Sequence, residues 1–141
     1  MQVRPINPQK WLEGFNINQA IEVTGGQRVL YVSGQTSNDA TGASMHPGDL
    51  VAQFKLAWKN LIEVLAASGM EPSNIVRLNF YTTDVPAFMA CASHLVPVFA
   101  GAGCKPVSTL LGVASLFEPN AMIEIEATAV VPDTVAEAGT G

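Results

Sequence analysis

The chain has 141 residues, of which 48% are hydrophobic and only 13% charged, with a formal net charge of −5. A single domain of this size can bury a stable core without metal or disulfide staples, and the sparse charge favours an oligomer that covers one sheet face. The seven basic residues (Arg4, Lys10, Arg28, Lys55, Lys59, Arg77 and Lys105) are scattered, so there is no phosphate-tracking stripe and nucleic acid is not expected as a partner.

Residues 1–16 carry Pro5, Pro8 and Gly14 without a clear period and read as an irregular lead-in. They contain no signal-peptide-like apolar stretch, and no run in the chain approaches the roughly 18 apolar residues of a membrane span, so a cytoplasmic protein is expected. "INQAIEV" and "RVLYVSGQ" are β-branched and aromatic runs flanking "TGGQ", a hairpin signal because glycine supplies positive φ at no steric cost. The "TSNDATGASMHPG" that follows is a loop at a strand end, suited to a pocket rim. From Asp49, a plausible N-cap, the apolar stripe Leu50, Phe54, Ala57, Trp58, Leu61 and Leu65 predicts a long helix stopped by Gly69.

"NIVRLNFYTT" reads as a third strand. Asp84 and Pro86 open a second helix with the stripe Phe88, Cys91, Ala92, Leu95 and Phe99, kinked or cut short by Pro97. Cys91 falls on the apolar side of that helix, as a buried thiol would, and neither it nor Cys104 has metal-ligand company. His46 and His94 lack a second ligand at i+4 and read as surface or cap residues. "PVSTLLGVASL" and "AMIEIEATAVV" are the fourth and fifth strands, joined by "FEPN", and residues 132–141 are expected to be a disordered tail.

The order β-β-α-β-α-β-β predicts a two-layer α+β sandwich, a mainly antiparallel sheet with two helices on one face, forming a single domain over residues 1–131. In the last strand Ile123, Ile125, Ala127 and Ala129 share one face, and Glu124, Glu126 and Thr128 share the other. If the isoleucine face meets the helices, both glutamates point to the bare side. There they must meet water, a charged partner, another subunit or a substrate, because an unpaired carboxylate is costly in an apolar interior.

"YVSGQTSNDATG", "FYTTDVPAF" and "IEIEATAVV", in that order, resemble the RidA/YjgF family, also called endoribonuclease L-PSP-like proteins. The resemblance runs from about Gln19 to Val131. It implies a chorismate-mutase-like fold, assembly as a homotrimer with clefts between neighbouring subunits, and hydrolysis of 2-aminoacrylate and related enamines or imines to 2-keto acids and ammonia without metal or cofactor. By motif, Gly34 would supply a backbone N–H to the substrate carboxylate and Glu124 would position the water. The family arginine that grips the carboxylate is absent, since the proline and "GVA" of strand four align Ser108 with it. A one-residue slip to restore the match would turn every following side chain to the other face.

Three further family pocket positions correspond to Ile17, Ala92 and Leu110, so the resemblance implies a more apolar pocket. A bidentate arginine–carboxylate pair is charge-assisted, whereas a serine offers about 0.5–1.5 kcal/mol of net hydrogen bonding. The substrate is therefore expected to differ from 2-aminoacrylate, unless another cation such as Lys105 enters the cleft. Glu126 reads as structural, and the competing role for Glu124 is an interface salt bridge, for instance with Arg77 or with a neighbouring subunit's lysine. No histidine base accompanies Ser108 in a recognisable motif, which argues against a serine nucleophile. Three functions compete: a cofactor-free hydrolase of the enamine/imine deaminase type, a non-catalytic trimer that binds a small metabolite or acts as a chaperone, and, least favoured by the charge, an endoribonuclease.

Overall fold

Strand β6 (Ile123–Pro132) organises the molecule. In the computed structural model, which describes residues 1–133, its Ile123, Ile125, Ala127 and Ala129 are buried and the residues between them are only half-buried, the period of two expected of a sheet with one covered face. Around it form β3 (Gln27–Gln35), β4 (Ile75–Thr82) and β5 (Leu110–Gly112), in the order β3-β6-β4-β5. β6 is antiparallel to β3 and to β4, whereas β4 and β5 are parallel. Between Val32 and Gln35 the register with β6 shifts by one residue, a bulge that contains Gly34.

Helix α1 (Leu50–Ala67) buries all six residues of its predicted stripe. The Asp49 side chain accepts from the Ala52 N–H at 3.0 Å, satisfying one of the free donors of the first turn. Gly69, at φ 70°, lies just beyond the end, where a left-handed residue turns the chain away. Gln53 was not anticipated. It is buried in the same stripe, donates to the carbonyls of His46 and Asn120 (3.0 and 2.9 Å) and accepts from the Met122 N–H (2.9 Å), so it ties the entry of α1 to the entry of β6.

The core between helices and sheet centres on Phe80 of β4, whose ring lies 5.7–5.8 Å from those of Phe54, Phe88 and Phe99. Phe88 and Phe99 belong to α2 (Val85–Ala90) and α3 (Ala92–Ala100), which together replace the single second helix expected. The interruption falls at Cys91 and α3 runs through Pro97, so the break precedes the proline instead of following from it.

Four other expectations are corrected. The lead-in contains strand β1 (Gln2–Ile6), paired antiparallel with β2 (Ala20–Thr24) from Gln2↔Thr24 to Ile6↔Ala20. All five residues of β1 are exposed, so it has no apolar alternation to reveal it, and a two-stranded ribbon tolerates Pro5 at an edge. β2 therefore pairs with β1 and not, as a hairpin, with β3, although Gly25 in the connecting turn does have positive φ (88°). Pro132 is the last residue of β6, opposite Gln27, so the segment read as a tail starts inside the sheet; residues 134–141 lie outside the described residues.

The fourth strand is also far shorter than its sequence suggests. Leu78 N–H donates to the Val107 carbonyl (3.0 Å) and Phe80 N–H to the Thr109 carbonyl (2.9 Å), as in a parallel ladder. The intervening rung, Thr109 N–H to the Leu78 carbonyl, is missing. Instead the Ser108 hydroxyl donates to the Leu78 carbonyl and the Asn79 side chain accepts from the Thr109 N–H at 3.2 Å. Side chains thus satisfy the backbone where the ladder opens, and regular strand begins only at Leu110.

Candidate functional site

β6 brings Glu124 onto the sheet face away from the helices, and the bulge in β3 brings Gly34 beneath it. A Cβ placed on Gly34 would lie 1.8 Å from Glu124 Oε1 and 2.6 Å from its Cδ. Gly34 does not have positive φ, so the need for glycine here is one of space: the carboxylate rests directly on the backbone of the "SGQ" turn. Burial, and secondarily the charge of Glu126, raise the Glu124 pKa above the usual carboxylate value. No side chain among the described residues hydrogen-bonds Glu124.

Glu126, two residues on, is held. Its Oε1 accepts from the Tyr81 hydroxyl and from Asn79 Nδ2 (3.2 Å), and the hydrogen bond to Glu126 is the leading cause of an upward shift of the Tyr81 pKa. Asn79 thereby serves both Glu126 and the broken rung at Thr109. Neither Asn79 nor Tyr81 was singled out from the sequence, though both alternate with buried Leu78 and Phe80 in "RLNFYT" and so had to face the glutamates. Arg77, opposite Thr128 on the same face, is exposed and forms no ion pair with either glutamate within the chain.

Ser108, Ile17 and Leu110 come together elsewhere. They line a cavity of about 200 Å³ with Phe15, Phe80, Phe88, Met89, Leu95, Val96 and Phe99. Ala92, the first residue of α3, does not line it, nor does Lys105, which borders a different cavity of about 370 Å³ next to β1 and β2. The Lys105 carbonyl is anchored there by Asn18 Nδ2 at 2.6 Å. Leu110 is in register with Phe80, on the helix side of the sheet, whereas Glu124 is in register with Tyr81, on the other. Within one chain the two groups of predicted site residues therefore occupy opposite faces of the sheet.

Among the described residues no cluster of three or more His, Cys, Asp and Glu side chains could hold a metal ion, and no helix is long and apolar enough to cross a membrane. Cys104 is fully buried, which pushes its thiol up to about 12, and Cys91 is a half-buried free thiol. Neither belongs to the cavity or to the glutamate pair.

Comparison with known proteins places these features in a lineage. The family profile described as endoribonuclease L-PSP matches residues 15–131. A Myxococcus xanthus protein, DfrA, is 34% identical over 113 residues, which cover 80% of this chain and 83% of that protein. A mouse 2-iminobutanoate/2-iminopropanoate deaminase is 33% identical over 113 residues, 80% of this chain and 79% of the mouse protein. Among solved structures, a Rid-family protein of unknown function from Yersinia pestis superposes with a TM-score of 0.82 at 34% identity, covering 93% of this chain and all of that one. The YjgF gene product of E. coli superposes with a TM-score of 0.63 at 26% identity, covering 80% of this chain and 86% of that one. Family profile, sequence and fold agree, and the chain belongs to the RidA/YjgF, or endoribonuclease L-PSP, family.

Proposed function

We propose that this protein is a cofactor-free hydrolase of the enamine/imine deaminase type, working in the cytoplasm as a homotrimer with its sites at the clefts between subunits. The observation that carries the reading is Glu124: a carboxylate without a hydrogen-bond partner among the described residues, seated on the backbone of Gly34, on a sheet face that the helices leave open. The names of the mammalian relatives support the same class of reaction. In this scheme Glu124 takes a proton from a water as its oxygen adds to the C=N carbon. It then returns that proton to nitrogen, and the carbinolamine collapses to a carbonyl compound and ammonia. The raised pKa suits this exchange, since a base somewhat stronger than an ordinary carboxylate accepts the proton more readily.

The opposite placement of Glu124 and Ser108 supports a composite cleft. One copy would present Glu124 and Gly34 on its open face, and a neighbour would present the cavity bounded by Ile17, Ser108 and Leu110, with Ala92 of the neighbour near its rim. Tyr31 and Leu111, 79% and 49% exposed in the single chain, would be covered by the same assembly. With Ser108 where the family arginine stands, 2-aminoacrylate would be a poor substrate. The test is ammonia release from a panel of imines generated in situ, with the parent and with Glu124→Gln. Release by the parent, lost in the folded variant, is expected. No release from any imine would support instead a metabolite-binding trimer without chemistry, which the missing arginine also suits.

A further inference from the structure

The cavity around Ser108 has an unusual polarity. Its lining residues are aliphatic or aromatic apart from Ser108, and none is charged. The direction of the one polar contact is unambiguous. A carbonyl oxygen can only accept, so the bond between Ser108 and the Leu78 carbonyl commits the hydroxyl proton to the backbone. That commitment is enforced by the missing ladder rung, because Leu78 is fully buried and its carbonyl has lost the Thr109 N–H to the Asn79 side chain. Releasing the proton to a ligand would strand a buried acceptor. What Ser108 offers the cavity is therefore lone pairs alone, in a setting walled by Phe80, Phe88, Leu95 and Phe99.

Such a wall selects against anions. A carboxylate entering it would lose its hydration, find no cationic side chain in the cavity's own lining, and meet an oxygen lone pair. An N–H group would find an acceptor, and the apolar body attached to it would find aromatic surface on several sides. Access exists at one end, where Phe15 and Met89 remain 37% and 45% exposed.

We propose that this cavity takes the apolar part of a neutral ligand bearing an N–H donor, a neutral enamine, imine or amide, with Ser108 Oγ accepting the hydrogen bond. As a statement about substrate it rests on the deaminase-type reading above; as a statement about binding it stands alone.

Calorimetric titration of the full-length protein with indole, 1-methylindole and indole-3-carboxylate tests it without turnover. Indole is expected to bind saturably, and 1-methylindole, which has the same apolar body but no donor, roughly two- to tenfold more weakly, the worth of one neutral hydrogen bond. Indole-3-carboxylate is expected to bind at least about tenfold more weakly than indole, because its charge has no partner. Ser108→Ala should erase the preference for indole over 1-methylindole, and Val96→Phe, which narrows the cavity without touching Ser108, should weaken both together. Where Ser108→Ala does not fold, the three probes on the parent and Val96→Phe decide. No saturable indole binding, equal binding of the two neutral probes, carboxylate binding as tight as indole, or a preference that survives Ser108→Ala in a folded variant overturns the proposal. Absence of ammonia release from imines, with the indole series behaving as expected, overturns the deaminase reading and not this one.

Discussion

Glu124 and Glu126 share a strand, a face and a charge, yet their surroundings differ. Tyr81 and Asn79 hold Glu126, while Glu124 sits on Gly34 and its pKa is raised. The rise means that the folded chain binds the Glu124 proton more tightly than the unfolded chain does. Its ionisation therefore costs stability as pH climbs from the ordinary carboxylate pKa through the raised one. Glu124→Gln should accordingly stabilise the protein at pH 7, by less than about 1 kcal/mol because solvent screens a half-buried group. The gain should vanish below the ordinary carboxylate pKa, which thermal melts at pH 3 and pH 7 would show. Gly34→Ala should fold, since the clashing atoms belong to a flexible side chain, but it must swing the Glu124 carboxylate away from the turn. If Glu124 has the proposed role, activity should fall at least about tenfold, into the range of Glu124→Gln, because small misplacements of a catalytic group are costly; an active Gly34→Ala would remove the need for this contact. Ser108→Arg should raise hydrolysis of 2-aminoacrylate while lowering stability by about 1–3 kcal/mol, because the buried Leu78 carbonyl loses its donor. Parental activity on 2-aminoacrylate that is already high and indifferent to residue 108 would show that another group holds the carboxylate.

Among the elements, those whose signals are local were legible in the sequence. Helix α1 announces its stripe, its cap and its stop within one stretch of chain, and Asp49→Ala should cost about 1 kcal/mol, measurable by chemical denaturation. The same holds for β6, whose alternation separates buried Ile123, Ile125 and Ala127 from the glutamates between them. Elements defined by their partners were not legible. β5 contracts to three residues because Ser108 and Asn79 take over backbone hydrogen bonds that a sequence pattern assigns to a ladder. β1 forms because β2 offers an edge, and its own five exposed residues carry no periodic trace of it. Cys91, read as a thiol within one helix, packs half-buried against the core but caps the end of α2 and the start of α3.

At the scale of the whole molecule, a sheet covered by helices on one side leaves Tyr31, Leu111, the glutamate pair and Arg77 on the other. Covering that face with copies of the chain, as proposed, would account for the low charged fraction and would unite the two groups of site residues. Multi-angle light scattering at micromolar concentration should give three times the 14.9 kDa chain mass. A monodisperse monomer would remove the trimer and the composite cleft together.

What the sequence determined by itself were the periodic and covalent facts: the α+β class, the core stripe of α1, the side of β6 on which each glutamate lies, and the family to which three ordered motifs point. These follow from spacing and residue identity, which are properties of the chain alone. Only the tertiary structure decided what those residues meet. It showed Gly34 to be required by the volume of the Glu124 carboxylate and not by its own dihedral angles, Glu126 to be engaged by Tyr81 and Asn79 while Glu124 has no such bond among the described residues, and the Ser108 proton to be spent on a carbonyl thirty residues away. Each of these depends on two strands distant in sequence lying side by side, and such proximity has no period to read.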